Sequence, residues 1–567
     1  MDRFWLPLYP PGVPADIDLS AFASLKALIE NAFEHYADRV AYISMGSSLT
    51  YRELEARSRA FGAWLQHRGG LKPGDRIAIM LPNLLQYPIA MFGALRAGFV
   101  VVNTNPLYTV SELASQLKDS GASAVLVLEN FAATLEQALP GTSVRQVIVT
   151  GVGDMLKFPK GAIVNAVLRY VHKKVPRWRI DDARRLRDVL HEGQSLSLLP
   201  VSLGHEDLAY LQYTGGTTGV AKGAMLTHGN MVANVLQSRA WFQQVGLDSM
   251  TYVCALPLYH IFSLTGNCLL FGSLGGTGVL IVNPRDFPAF IKDLQIHKPM
   301  FFMGVNTLFN ALMNTPGFEQ VDFSRLKATV AGGMALQSSV AERWKSITGC
   351  VVTQGWGLTE ASPVGCVNLL VGPYARFTGA IGIPIPSTEL TIRDDDGRDL
   401  GIGAVGEICL RGPQIMRGYW NRPDETAKVM LPDGWLRTGD IGRFDQLGFV
   451  FIEDRKKDMI IVSGFKVYPN EIEDVIARCP GVLEVAAVAQ ADEHSGEVVA
   501  LFVVRKDPAL TEQAIRDYCH QHLTGYKRPR AILFRDELPK TNVGKILRRA
   551  LRDELAAQLE SARETHG

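Results

Sequence analysis

Residues 121–128 read GASAVLVL, an uncharged run that ends in four large aliphatic side chains. A short, continuously apolar segment of this kind suits a strand covered on both faces, as in a parallel sheet. Working outward, RIAIML (76–81), QVIVT (146–150) and KATVAGG (327–333) repeat the pattern. Between such runs lie amphipathic stretches. In 51–68, Leu54, Ala60, Phe61 and Leu65 recur at helical spacing. The alternation predicts an α/β fold in which mostly parallel sheets are covered by helices.

A chain of 567 residues exceeds what one hydrophobic core supports, so at least two domains are expected. From about residue 400 the pattern changes to short strands set between turn signals: GEICLRG (406–412), DGWLRTGDIG (433–442) and GFVFIED (448–454). This predicts a small β-rich subdomain at about 385–455, closing a large domain over 1–455. After KKD (456–458) an α+β pattern begins and runs to the end at 567. It has helices over 469–479 and 511–522, strands over 483–489, 497–505 and 531–535, and a charged helix over 544–560.

The 58 Lys and Arg balance 57 Asp and Glu, so no global field argues for a nucleic-acid partner. Seven cysteines are scattered without a CxxC pair, which fits a reducing compartment. The N-terminus carries acidic residues and prolines and lacks the apolar core of a signal peptide, so cytoplasm is the expectation. Residues 261–282 run uncharged for long enough to span a bilayer. Five glycines and Asn267 interrupt them, and a buried helix followed by a strand is the expected form.

The strongest local signal is Tyr213-Thr-Gly-Gly-Thr-Thr-Gly-Val-Ala-Lys-Gly-Ala224. Gly215, Gly216, Gly219 and Gly223 let backbone N–H groups approach an anion, Thr214, Thr217 and Thr218 add hydroxyls, and Lys222 adds charge. This composition suits a polyphosphate. Val220 and Ala221 separate Gly219 from Lys222, so the loop is not a P-loop with contiguous Gly-Lys-[Ser/Thr].

At this loop the chain resembles the adenylate-forming superfamily of acyl-CoA synthetases, luciferases and peptide-synthetase adenylation domains. Within it the resemblance is closest to the bacterial long-chain fatty-acid–CoA ligase group, through LPNLLQYPIA (81–90), VVNTNPLYT (101–109) and LTGYKRP (523–529). The resemblance implies roles for several further motifs. In Gln354-Gly355-Trp356-Gly357-Leu358-Thr359-Glu360, Trp356 would stack on adenine, Thr359 touch the α-phosphate, and Glu360 hold Mg²⁺ with Thr214. Most relatives have Tyr at the Trp356 position, so a hydroxyl contact is expected to be lost. Gly333 and Met334, in Gly-Gly-Met-Ala (332–335), would lie against the adenine. Asp440 and Arg455 would reach the ribose, Lys457 would form the hinge between domains, and Gly464 would border a pantetheine tunnel. Lys545, in PKTNVGKILRR (539–549), would be the catalytic lysine of adenylation, with Lys540, Arg548 and Arg549 as surface charges.

The implied reaction joins a fatty acid, ATP and coenzyme A. An acyl-adenylate forms with loss of pyrophosphate, and a thiol then takes the acyl group. The segment LPLYHIFSL (256–264) offers Tyr259, His260, Ile261 and Phe262 where amino-acid-activating relatives carry an Asp. With 230–235 and 304–310 also uncharged, an apolar acyl pocket is expected. His260 would gate the carboxylate or serve as a satisfied core histidine. Luciferase-type oxidation and a non-catalytic acyl-nucleotide binder stand as the other readings, and a homodimer is left open.

Residues 161–174 (GAIVNAVLRYVHKK) set Ile163, Val164, Val167, Leu168 and Val171 at helical spacing ahead of a basic stretch through Arg187. Two readings follow: a surface helix lying on an anionic membrane, or a core-packed helix followed by a solvated basic loop.

Overall fold

The computed structural model describes residues 3–214, 221–246, 250–492 and 494–564. Two large sheets dominate. One has seven strands, in the spatial order 184–185, 146–150, 124–128, 76–80, 100–103, 208–214 and 222–227. All neighbours in it are parallel except the last pair, which form a hairpin. The other has nine strands, with a parallel centre of 352–357, 328–331, 301–304, 251–254, 277–280 and 40–44. Every residue of Ala124–Leu128 is buried, as helices on both faces require. The fold class expected from the aliphatic runs is the fold observed.

Local signals explain the covering helices. Thr50 and Glu53 form a capping box at the start of the helix Tyr51–His67, a device worth about 1 kcal/mol. That helix crosses Gln86–Arg96 at backbone contact. A Cβ at Gly93 would lie 2.5 Å from the Ser58 carbonyl oxygen, so no larger residue fits the crossing. Residues 261–282 form a short helix, a π-helical turn (Leu264–Leu270) and the buried strand Thr277–Leu280. Among the described residues no helix is long and apolar enough to cross a membrane.

A four-stranded antiparallel sheet follows, made of 389–393, 406–411, 436–444 and 450–455. The small C-terminal domain is built on 465–467, 460–462, 496–505 and 482–492, with 531–535 added parallel to 496–505. It docks on the large domain through polar contacts. Asp474 accepts from the Ser338 backbone N–H and hydroxyl, both at 3.0 Å. Asn310 donates to the Leu483 carbonyl at 3.0 Å, and Thr307 donates to the Gly544 carbonyl at 2.8 Å.

Four expectations need correction. The last helix begins at Arg548, not 544, because residues 541–545 close a tight turn. Thr307 and Asn310 face the small domain, so 304–310 is not simply pocket lining. Arg548 is no surface charge, since its side chain is largely buried against Asp454 and Glu473. Residues 160–171 are not core-packed either. Only Gly161 is buried in the helix Lys160–Ala166, and none of the π turn Val167–Val171 is.

Candidate active site

The polyphosphate motif straddles the hairpin of the seven-stranded sheet. Thr214 ends one strand and lies opposite Lys222, which starts the next. Gly215, Gly216, Thr217, Thr218 and Gly219 lie outside the described residues. Segment 416–420 fixes the flank of the hairpin. The Trp420 N–H donates to the Gly223 carbonyl at 2.8 Å, and the Met225 and Arg417 N–H groups donate to Gly418 and Met225. The Met416 N–H continues the ladder by donating to the Glu360 carbonyl at 2.8 Å. Backbone hydrogen bonds thereby set the position of Glu360 relative to the hairpin. Tyr213 is tied down separately, its hydroxyl donating to Asp119 at 2.7 Å.

Glu360 sits in the single turn Thr359–Ala361 and accepts from the Tyr419 hydroxyl at 2.6 Å. Burial, and then the Glu360 carboxylate, hold the Tyr419 phenol well above its usual range, so it stays a donor. Lys222 lies over the Tyr419 ring, 5.2 Å from its centre, and pairs with Glu425. The sequence reading missed Tyr419 and Glu425. Their signal was the aromatic, turn-rich GYWNRPDE (418–425), whose charges read alone as an ordinary solvated turn.

Among the described residues no group of three or more His, Cys, Asp or Glu could cage a metal ion. A single carboxylate, Glu360, with the Thr214 hydroxyl fits Mg²⁺ bound chiefly through substrate phosphates, the ion's common mode.

On the strand Val352–Gly357, Trp356 is buried, and its indole N–H donates to Asp440 at 2.8 Å. The indole nitrogen thus gives this position a polar contact of its own in the absence of a hydroxyl. Asp440 is also buried and pairs with Arg455 at 2.7 Å across the antiparallel strands. Gln354 is occupied within the protein, donating to the Ala380 carbonyl at 2.9 Å. Gly357 is demanded by packing, because a Cβ there would meet the Pro363 carbonyl oxygen at 1.8 Å, and Leu358 donates to that carbonyl at 2.9 Å. Gly355 meets only ordinary contacts. Gly333 adopts φ +76° and is exposed, and Met334 next to it is half-buried. Phe262 rests on Gly332, with its ring edge 3.0 Å from where a Cβ would be.

Lys545 enters this group from the small domain. Burial and then the Arg455 guanidinium pull its ammonium down to about 8, against the opposing pull of Asp440. Burial and then the Lys545 charge push His260 down to about 4, so it is neutral at physiological pH. His260 accepts from the Phe262 N–H at 3.4 Å, as the cap of a short helix. Lys457 is likewise lowered to about 8, by burial and then by Arg455. Gly464 stands apart, at an exposed hairpin tip with φ +85° and open space around it. The structure thus gathers Trp356, Asp440, Arg455, Lys457, Lys545 and His260, and leaves Gly464 outside.

Residues 29–420 match the family model of the AMP-binding enzymes, and 471–545 match that of the AMP-binding enzyme C-terminal domain. The chain is 53% identical to a long-chain-fatty-acid–CoA ligase of Salmonella typhimurium, covering 99% of this chain and 100% of that one. It is 36% identical to the ligase of the same name from Bacillus subtilis, over 97% and 98%. Among solved structures, the anthranilate CoA ligase AuaEII in complex with anthranoyl-AMP superposes with a TM-score of 0.84 at 25% identity, over 96% of this chain and all of that one. ATP-bound MatB from Rhodopseudomonas palustris gives 0.81 at 27%, over 94% and 99%. The chain belongs to the AMP-binding enzymes, the adenylate-forming family that includes the bacterial long-chain-fatty-acid–CoA ligases.

Proposed function

We infer that the chain activates a medium- to long-chain fatty acid with ATP and transfers the acyl group to coenzyme A. The observation that carries the reading is that Lys545 of the small domain lies within electrostatic reach of the buried Asp440–Arg455 pair of the large one. The full-length likeness to long-chain-fatty-acid–CoA ligases supports the substrate class.

A carboxylate is a poor acyl donor because its leaving group would be oxide. In the first step a carboxylate oxygen attacks the α-phosphorus of ATP, the bond to pyrophosphate breaks, and a mixed anhydride forms. Negative charge gathers on phosphoryl oxygens, and Lys545 and Lys222 stabilise it electrostatically. Mg²⁺ held by Glu360 and Thr214 would add positive charge at the same oxygens. Asp440 accepts from the ribose hydroxyls, Arg455 stands beside it, and the adenine lies by Gly333, Met334 and Trp356. Neutral His260 borders the carboxylate end without adding a charge there. In the second step the thiolate of CoA attacks the acyl carbon, and the bond to AMP breaks. The small domain, 456–567, turns about Lys457 between steps, withdrawing Lys545 and bringing the Gly464 hairpin to the site. Incubating the protein with C6 to C18 acids, ATP and CoA tests the reading. Acid-dependent pyrophosphate and acyl-CoA are expected, and pyrophosphate absent with every acid would refute it.

The exposed segment 158–174 favours a peripheral location on an anionic membrane. Phe158 is 91%, Tyr170 72%, Val171 69% and Ile163 57% exposed on one short helix and its flanks. Large apolar side chains left in water beside Lys173, Lys174 and Arg177 match a helix lying in a charged interface. Arg169, Arg184, Arg185 and Arg187 are already paired with Glu129, Glu192 and Asp154 and contribute less. Charge reversal at Lys173, Lys174, Arg177 and Arg179 should abolish salt-sensitive sedimentation with anionic vesicles. Unchanged binding would reject this surface.

A further inference from the structure

A buried charge cluster joins the strand that carries Arg455 to the helix that follows Lys545, and no step above uses it. The Arg548 fork donates to Glu473 at 2.6 and 3.0 Å, to Asn470 at 2.6 Å and to Asp454 at 3.2 Å. Asp458 stands 3.7 Å from the same fork and 2.9 Å from Arg552. Asp454 also accepts the Asn470 backbone N–H at 2.8 Å. Asp454 belongs to the large domain, on the strand Val450–Arg455, whereas Asn470, Glu473 and Arg548 belong to the small one.

We propose that Asp454 and Arg548 form a clasp that positions Lys545 for acyl-adenylate formation and takes no part in thioester formation. The proposal rests on the ligase reading and on the adenylation role given there to Lys545.

The backbone geometry explains how the clasp reaches the lysine. Side chains alternate along a strand, so Arg455 turns to Asp440 in the site while Asp454 turns away to the small domain. Arg548 opens the last helix three residues after Lys545. The intervening turn is stiff. Lys545 and Thr541 exchange hydrogen bonds, the Gly544 N–H donates to Thr541, and Gly544 adopts φ +81° against Thr307. Fixing the Arg548 fork on Asp454 therefore fixes the root of the turn that carries Lys545.

The clasp is also specific to this arrangement of domains. When the small domain turns about Lys457, Asp454 stays and its partners leave. Glu473 and Asn470 travel with Arg548, so the small domain keeps its internal pairing. Asp454 alone changes partners, and a buried charge stripped of its partner is unfavourable. That makes Asp454 the residue to alter.

The test measures the two half-reactions separately: pyrophosphate release from ATP and acid without CoA, and transfer from supplied acyl-adenylate to CoA. Asp454→Asn keeps the shape and removes the charge. It should slow the first about tenfold or more, the scale on which small misplacements of a reacting group act, and leave the second within about twofold. Arg548→Lys, which keeps the charge and loses the fork, should show the same split. In a Lys545→Ala background Asp454→Asn should cost nothing further, because the clasp acts through that lysine. Equal slowing of both half-reactions, or the same further loss without Lys545, would reduce the cluster to a structural role and overturn the proposal. A wild-type protein that releases no pyrophosphate with any acid would instead overturn the ligase reading, and the clasp with it.

Discussion

The two sides of the site are held by different kinds of interaction. On the large-domain side, Glu360, the phosphate hairpin and segment 416–420 share a backbone ladder, and Trp356, Asp440 and Arg455 lock together over buried strands. On the small-domain side, Lys545 rides a turn held by Thr307 and the Asp454–Arg548 group, with the Asp474–Ser338 contact on a neighbouring helix, all polar contacts across a domain boundary. Backbone ladders and packed cores do not let go in steps, because breaking them exposes unpaired polar groups. Side-chain contacts across a boundary can be exchanged one by one, at modest cost where they are exposed and at a larger one for the buried Asp454–Arg548 pair. Under the proposed mechanism the difference amounts to a division of labour: the nucleotide side is preformed, and the side that delivers the lysine is detachable.

The comparison can be broken from either side. The largest effect is expected from Lys545→Ala, which removes the delivered charge and should lower acyl-adenylate formation by about 10³-fold, at the upper end for a charge-stabilising donor. Single-turnover pyrophosphate release reads it. Glu360→Ala removes the fixed carboxylate and should lower Mg-ATP use by about 10² or more with an unfolding midpoint near wild type. A change below about threefold in that variant would refute the metal assignment. Gly544→Ala probes the detachable side. Its Cβ would sit 2.8 Å from Thr307 Oγ1 at φ +81°, a strain of roughly 1–3 kcal/mol that falls on docking. Adenylation down about tenfold, with the small-domain fold intact by circular dichroism, is the expected result.

A smaller effect follows from pH. Lys545 titrates at about 8, so it is charged below that value and neutral above it. The adenylation kcat/KM for ATP should therefore fall as pH rises through about 8, and Lys545→Arg should flatten that alkaline limb. A profile level to pH 10 in the wild type would mean that the lysine charge is not required.

Much of the large domain was legible because strands buried on both faces leave unbroken aliphatic runs, as in 76–80 and 124–128. The residues gathered around Asp440 were legible through the resemblance of their motifs to the adenylate-forming superfamily, since a run such as EDRKKD (453–458) read alone is a solvated charge cluster. Arg548 was not. In a run such as GKILRR (544–549) a buried arginine and a solvated one look alike, and only three-dimensional proximity to Asp454 and Glu473 tells them apart. Tyr419 escaped for the same reason, since its hydroxyl meets Glu360 from 59 positions away. The helix over 160–166 was visible as apolar spacing, but which side of it faced solvent depended on packing that spacing does not encode.

The most direct test of the division of labour is the effect expected to be absent. Wild type and Lys545→Ala are given preformed acyl-adenylate and CoA, and acyl-CoA is followed in a single turnover. On the proposed turn about Lys457 the lysine is withdrawn before the thiol attacks, so the two rates should agree within about twofold, against the roughly 10³-fold loss expected in adenylation. An equal loss in both half-reactions would mean that Lys545 stays in the site throughout, and it would contradict the detachable side of the account.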